Sequence, residues 1–383
     1  MIAYFDNAAT TFPKPDCVYE QADYVFRSFG VNTGRGDYGL ATEATKVTAE
    51  CKDLLRKLLC CPGKGIAFTA SATDALNRII AGLGLSDGAA VYVSPFEHNA
   101  VTRILHSLEK VGAVSIRLLP FDRSSLLLDE AEMSRLFECN PPELVVMTHA
   151  SNVCGAILPV EDVFLAAKNY GAATVVDMSQ TAGLIPLNVG LETIDFAVFA
   201  GHKTLFGPFG IGGFAYSFAG PSLSPVMFGG NGINSVEQDM PTDMESMIEI
   251  GSQNCYSIAG LRAACAWLLE SGESVLKREQ ELTARLVDTL RSHRNIRIVA
   301  EKMAYPRVGV VSALFDGYSP SEVGSVLGDL GVAVRAGLHC APYAHRFLGT
   351  LPAGTVRFSV SPLTTDDDFA KLEQALDFIE LNG

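Results

Sequence analysis

Four short stretches of this chain set reactive side chains where a folded protein can use them. The first is Asp195-Phe-Ala-Val-Phe-Ala-Gly-His-Lys203, followed by Gly207-Pro208-Phe209-Gly210-Ile211-Gly212. A lysine closing an apolar strand sits where the chain leaves a sheet, the usual address of ligand groups in α/β proteins. Partly buried, such a lysine can lose its proton and form a Schiff base with a carbonyl compound. The glycines behind it suit a tight return beside a bulky ligand. Taken alone, the lysine fits a solvated strand end better. The run Gly210-Ile-Gly-Gly-Phe-Ala215 loosely matches a dinucleotide fingerprint, but strand-forming residues follow it where a helix is required.

The second stretch, Ile66-Ala-Phe-Thr-Ala-Ser-Ala-Thr-Asp-Ala-Leu-Asn77, runs from an apolar strand through small and hydroxyl residues into a helical pattern. A helix start there offers unpaired N–H groups and a positive dipole end to a phosphate, although Ser71 or Thr73 as a simple cap explains it too. The third, Val175-Val-Asp177-Met-Ser-Gln180, ends a strand on a carboxylate. That group can pair with a protonated ring nitrogen and keep it charged, as a pyridine cofactor needs when it serves as an electron sink. The fourth is Val334-Arg335-Ala-Gly-Leu-His339-Cys340-Ala-Pro342, with Val356-Arg357-Phe-Ser359 beyond it. Neighbouring His339 and Arg335 favour the thiolate of Cys340, and Arg357 can grip a carboxylate with two parallel hydrogen bonds. His339, Cys340 and His345 match no common zinc spacing, so no metal is expected.

Strand-like apolar runs at 65–69, 89–93, 144–148, 174–177, 195–200 and 211–216 alternate with helical patterns such as 73–83 and 160–170. This alternation predicts an α/β domain with a mostly parallel sheet. Residues 43–60 space Val47, Cys51, Leu54, Leu55, Leu58 and Leu59 as one face of an amphipathic helix. From about residue 256 the texture changes. A long helical pattern passes through Leu261, Cys265, Leu268 and Leu269 towards Leu290. Strand runs at 296–299, 308–315, 332–334 and 355–359 follow, with helical patterns at 320–330 and 367–380. The expected division is a large α/β domain over 15–255 and a smaller α+β domain over 256–383, which carries Cys340 and Arg357 and packs with residues 1–14.

Composition narrows the function classes. The 383 residues carry a formal charge of −14 and no basic cluster, which disfavours a nucleic-acid partner. The most apolar later stretch, 195–219, contains His202, Lys203, Pro208 and several glycines and does not read as a membrane span. The first residues carry neither a charged leader nor a long apolar run. Nine cysteines with no C-x-x-C pair point to reduced thiols, and hence to the cytoplasm.

In their order along the chain these stretches resemble the class V aminotransferase family, in its cysteine desulfurase and selenocysteine lyase branch. The resemblance spans nearly the whole chain. It takes in Tyr4-Phe-Asp-Asn-Ala-Ala-Thr-Thr11, the turn at 68–77, Glu97-His98-Asn99-Ala100, Ser151-Asn152-Val153, residues 177–180, Gly201-His202-Lys203, Gly229-Gly230, residues 335–342 and the Arg357 strand. It implies fold type I of the pyridoxal-phosphate transferases, with a seven-stranded, mostly parallel sheet. It also implies pyridoxal 5′-phosphate held covalently by Lys203, which would move the substrate's Cα proton. His98 would stack on the ring, Asp177 would pair with its nitrogen, and Asn152 and Gln180 would contact its oxygen. Ala72, Thr73 and His202 would hold the phosphate, joined by Gly251 and Ser252 from the partner of a homodimer with shared sites. Arg357 would bind the substrate carboxylate, with Asn7 and Arg335 near it, and Cys340 would attack the sulfur of L-cysteine. A persulfide on Cys340 would pass to an acceptor protein or small thiol.

Three positions depart from the commoner family pattern. Ala200 stands where a serine is frequent, Ser252 replaces threonine, and Leu338 replaces a second histidine. The residues leave L-selenocysteine open as a substrate, and a transaminase of the same fold as another reading. A cofactor-binding regulator without chemistry is the reading from outside the enzymes. The joint presence of Lys203, Asp177, His98, Arg357 and Cys340 weighs against it.

Overall fold

The computed structural model describes residues 2–33, 36, 38–230, 232 and 236–382. Its strands are β1 (Ala3–Tyr4), β2 (Gly65–Thr69), β3 (Ala89–Val93), β4 (Val114–Leu118), β5 (Leu144–Thr148), β6 (Ala173–Asp177), β7 (Phe196–Ala200) and β8 (Gly212–Tyr216). Then come β9 (Ile296–Ile298), β10 (Val310–Phe315), β11 (Val332–Ala333), β12 (Arg335–Gly337) and β13 (Thr355–Ser359). Seven of them form one sheet in the order β2-β8-β7-β6-β5-β3-β4. Strands β3 to β7 run parallel, while β8 is antiparallel to both its neighbours.

The expected seven-stranded, mostly parallel sheet is therefore present. Strands β2, β5, β6, β7 and β8 are buried along their whole length, as sheets covered by helices on both faces require. Strand β4 was not expected. It lies on the edge, half-exposed, and its Val-Ser-Ile-Arg-Leu run lacks the continuous apolar signal of the others.

The chain leaves β3 towards the β4 edge and returns as β5 on the other side of β3. Such a reversal opens a crevice at the carboxyl ends of the strands, where open α/β sheets bind ligands. The ends of β3, β5, β6 and β7 lead directly to His98, Asn152, Asp177 and Lys203.

A second, four-stranded antiparallel sheet has the order β12-β13-β10-β9. Its core joins Val311, Leu327, Phe358, Phe369 and Leu376 with Ala3 and Phe5, because β1 pairs with β11. The expected strand 332–334 divides: Val332–Ala333 pairs with β1, and the chain then changes partner to run beside β13 as β12. The helix Cys255–Arg291 joins the two cores. Ile258, Leu261, Cys265 and Leu268 pack in the large one, and Leu282, Leu286 and Leu290 in the small one. At 1.5 Å per residue it is roughly 55 Å long. Among the described residues no helix is long and apolar enough to cross a membrane.

Candidate active site

The carboxyl ends of β5, β6 and β7 and the start of the helix Ala72–Gly82 surround one cavity of about 520 Å³, partly open to solvent. Eight of the expected residues line it: Ala72, Thr73, His98, Asn152, Asp177, Gln180, His202 and Lys203.

One end is built for an anion. Ser71 caps the helix by accepting from the Asp74 N–H at 3.1 Å. The N–H groups of Ala72 and Thr73, at the first two helical positions, have no carbonyl to reach within the helix. Gly212 on β8 allows this approach, since a Cβ there would come within 2.6 Å of the Ser71 carbonyl carbon. The Nδ1 of His202 is buried beside the same cavity and makes no hydrogen bond among the described residues. Burial, with the charges of Lys203 and Lys14, holds this imidazole down at about 4. Ala200 also lines the wall and brings no hydroxyl.

The middle suits a flat ring. His98 caps the helix Asn99–Lys110, its Nδ1 accepting from the Ala100 N–H at 3.0 Å. That bond orients the imidazole and leaves its proton on Nε2. Burial, reinforced by the charge of Lys203, lowers its pKa to about 4, so the ring is neutral. Buried Asp177 accepts from the Ser179 N–H at 2.9 Å and the Ser179 hydroxyl at 2.5 Å, both on Oδ1. Its Oδ2 takes no hydrogen bond from any described residue and is free for a cationic N–H. Gln180 donates through Nε2 to the Ala8 carbonyl at 2.9 Å.

Lys203 enters this space from the turn after β7. Its ammonium nitrogen makes no hydrogen bond or ion pair with a described residue. Burial lowers its pKa, and nearby Arg357 and Arg335 push the same way against the pull of Asp177. The neutral, nucleophilic amine is thereby favoured.

Cys340 approaches from the smaller sheet. It lies between β12 and the helix Pro342–Leu348, with His339 and Cys340 at φ 48° and 56°. The Nη2 of Arg335 reaches the Cys340 sulfur at 3.3 Å. The loop is tied to the cavity rim by two bonds: Asn99 N–H to the Cys340 carbonyl at 2.7 Å, and Asn152 Nδ2 to the His339 carbonyl at 2.7 Å. Buried His339 hydrogen-bonds Thr355 at 2.9 Å, and Thr355 donates on to Ser312 at 3.0 Å. Burial pushes the His339 pKa down to about 2, so this ring is no proton donor to the thiol.

Arg335 and Arg357 stand opposite each other in the β12–β13 register. Two cations side by side repel unless anions join them. One anion is already present: Asp6 accepts from Arg357 Nη2 at 2.6 Å. Asp6 lay within the Tyr4–Thr11 motif but carried no expected role, and only the fold brings it to Arg357. A substrate carboxylate would answer the remaining charge.

The other expected residues fall elsewhere. Asn7 commits its amide to backbone, donating to the Ser359 carbonyl at 2.9 Å and accepting from the Phe12 N–H at 3.2 Å, which is a scaffolding position rather than a free substrate contact. Gly251 and Ser252 do not reach the Lys203 cavity of their own chain. Ser252 lines a separate one with Phe68, Arg78 and Glu249. Sequence reasoning missed Ser179, which orients Asp177, and Thr148, which lines the cavity. Hydroxyl residues at strand ends are too common to stand out.

Residues 3–372 match the family model described as aminotransferase class-V. A probable cysteine desulfurase of Aeropyrum pernix is 31% identical over 99% of this chain and 94% of its own length. One from Methanothermobacter thermautotrophicus is 29% identical over 98% of this chain and 94% of its own. Among solved structures, a cysteine desulfurase from Thermococcus onnurineus superposes with a TM-score of 0.89 at 26% identity, covering 100% of this chain and 95% of its own. An Escherichia coli cysteine desulfurase gives 0.83 at 27% identity, over 99% and 95% of the two chains.

Proposed function

The chain belongs to the aminotransferase class-V family, whose members depend on pyridoxal 5′-phosphate, and we propose that it is a cysteine desulfurase that takes sulfur from L-cysteine onto Cys340. The cavity fits the cofactor through its unpartnered Lys203 amine, the open Oδ2 of Asp177, the flat neutral ring of His98 and the orphaned Nδ1 of His202 beside a helix start. Once bound, the cofactor supplies an electron sink for charge that develops at the substrate's Cα.

The chain's own groups do the rest. Lys203 holds the cofactor and carries the Cα proton, a task that suits its depressed pKa. Asp177 keeps a proton on the ring nitrogen, and His98 fixes the ring plane. Arg357 and Arg335 hold the substrate carboxylate. The Cys340 thiolate forms an S–S bond to the substrate sulfur while the substrate C–S bond breaks. The products are a persulfide on Cys340 and, after protonation of the three-carbon fragment, L-alanine. One observation carries this reading: among the described residues one cysteine, Cys340, reaches the rim, and Asn99 and Asn152, neighbours of the cofactor groups, tether its loop there.

Three finer points belong to the same proposal. Gly251 and Ser252 of a second copy complete the phosphate end, which makes the enzyme a homodimer. This is supported by their distance from their own cavity and by exposed Phe12, Phe26, Phe209 and Phe228. The cofactor unit is residues 15–255, and residues 256–383 with 1–14 form the thiol-bearing unit, in line with Ala3 and Phe5 packing in the small core. All nine cysteines are free, which suits a reducing cytoplasm, and an acceptor protein or small thiol collects the sulfur.

Alanine and sulfide release from L-cysteine, with a thiol reductant, tests the reading on wild type and Cys340→Ala. Turnover by wild type and its loss in the variant are expected. Equal turnover by the two proteins, or no alanine from cofactor-loaded wild type, overturns it in favour of L-selenocysteine or transamination.

A further inference from the structure

The backbone that carries Lys203 is gripped by the start of the chain. The His202 carbonyl accepts three donors: the Thr10 hydroxyl at 3.0 Å, the Thr11 N–H at 3.2 Å and the Lys14 ammonium at 3.2 Å. The next carbonyl, that of Lys203, accepts the Thr11 hydroxyl at 2.9 Å and the Phe206 N–H at 2.8 Å. A carbonyl oxygen has two lone pairs, and most accept one or two donors. Three donors on one oxygen, one of them charged, mark a place where the backbone is held with unusual firmness.

Lys14 is an unusual choice for a merely structural contact. It is half-buried and meets no carboxylate among the described residues. Its remaining partners are the Thr11 carbonyl at 3.0 Å and the face of Phe209, 6.0 Å from the ring centroid. Phe209 in turn stacks on His202 with centroids 4.8 Å apart. Burial lowers the Lys14 pKa to about 8, so the fold keeps an ammonium here against a desolvation cost. A neutral hydrogen-bonding residue would have satisfied the loop more cheaply.

We propose that Lys14 is a positioning residue for Lys203: with Thr10 and Thr11 it clamps the His202 carbonyl, and so fixes the direction in which Lys203 enters the cofactor cavity. The same clamp sets the His202 ring, whose free Nδ1 faces the anion-binding end. The proposal rests on the reading of Lys203 as the cofactor lysine.

The test strips and reloads the protein with pyridoxal 5′-phosphate, then compares wild type, Lys14→Met, Lys14→Gln and Lys14→Arg. Lys14→Met is expected to weaken cofactor affinity about tenfold and to lower kcat about tenfold with KM little changed, as for a lost charge-assisted contact that sets geometry. Lys14→Arg, which keeps a charged donor, restores both to within about threefold of wild type, and Lys14→Gln falls between. The melting temperature of the cofactor-free protein stays within about 2 °C throughout, as for a change that leaves the core intact. Should Lys14→Met fail to fold, the Lys14→Gln and Lys14→Arg pair decides. Wild-type affinity and kcat in Lys14→Met or Lys14→Gln overturn the clamp. So does a loss of affinity matched by an equal fall in melting of the cofactor-free protein. A wild type that takes up no cofactor overturns instead the assignment of Lys203.

Discussion

In the proposed scheme Lys203 and Cys340 serve one reaction from two kinds of backbone. Lys203, Asp177 and Asn152 follow parallel strands buried on both faces, so their positions are inherited from the largest core of the molecule. Cys340 follows a three-residue strand and sits in a turn where two consecutive non-glycine residues are left-handed. Each such residue costs roughly 1–2 kcal/mol. Contacts from around the loop meet that cost: the Asn152 side chain and the Asn99 N–H on the loop carbonyls, Thr355 on His339 and Arg335 on the sulfur. The cofactor half is a property of the sheet, whereas the thiol half exists only once the rest of the molecule has assembled around it.

The sharpest break of this comparison comes from Lys203→Ala. It should cost at least about 10³-fold in alanine formation, because the proposed scheme gives Lys203 both the covalent hold and the proton transfer, with little change in thermal stability. An active Lys203→Ala enzyme would end the scheme. Next is Asp177→Asn, which keeps the shape and the Ser179 contacts but loses the charge. A loss of about 10²-fold in turnover, read together with the absorbance of the bound cofactor, is expected for a missing preorganised charge. Both changes act on the cofactor half and should impair every reaction the cofactor supports, while Cys340→Ala should spare cofactor uptake and lose alanine and sulfide release.

Legibility in the sequence follows the same divide. Strands buried on both faces announce themselves as unbroken apolar runs, so Asp177 and Lys203 are legible as strand-end residues in the sequence alone. The edge strand β4 and the helices Asp16–Phe29 and Glu130–Cys139 went unread, because half-exposed elements mix polar residues into their pattern. In the thiol half, Arg335, Cys340 and Arg357 were visible as residue types, and their pairing across β12 and β13 was not. Asp6 shows why. It reaches Arg357 across 351 positions of sequence, a distance no local pattern reports.

Asp6→Asn is the third test and falls on the thiol half. Arg357 is 1% exposed and Asp6 is its only carboxylate partner among the described residues, so the substitution leaves a buried cation poorly compensated. Removing one partner of a fully buried pair costs about 3–5 kcal/mol, and partial exposure of Asp6 moves the expectation to about 2 kcal/mol. Urea unfolding should show that loss while cofactor affinity stays within about twofold of wild type, since no cofactor-cavity contact changes. A large fall in cofactor affinity would mean that the two halves are not separately built.

The smallest effect is expected from Glu97→Gln, directly behind the cavity wall. Glu97 is fully buried, its Oε1 accepting from Ser94 at 2.5 Å and from the Thr148 N–H at 2.8 Å, while Oε2 has no partner among the described residues. Burial raises its pKa to about 8, with the charge of Asp177 adding to the rise and the hydrogen bonds opposing it. Unfolded, it would titrate near about 4.3. Between those values the folded protein keeps a proton that the unfolded chain has released, so this group makes stability fall as pH rises. His98 and His202, held near 4, work the other way between about pH 4 and 6.5, but they are common to both proteins and cancel in the difference. Glutamine cannot titrate. Relative to wild type, Glu97→Gln should therefore gain stability from pH 5 to pH 9, by about 1 kcal/mol or more, in urea midpoints taken across that range. A difference that does not vary with pH would put an ionised Glu97 beside Asp177, and the cofactor ring would then rest on two negative charges where the geometry provides one.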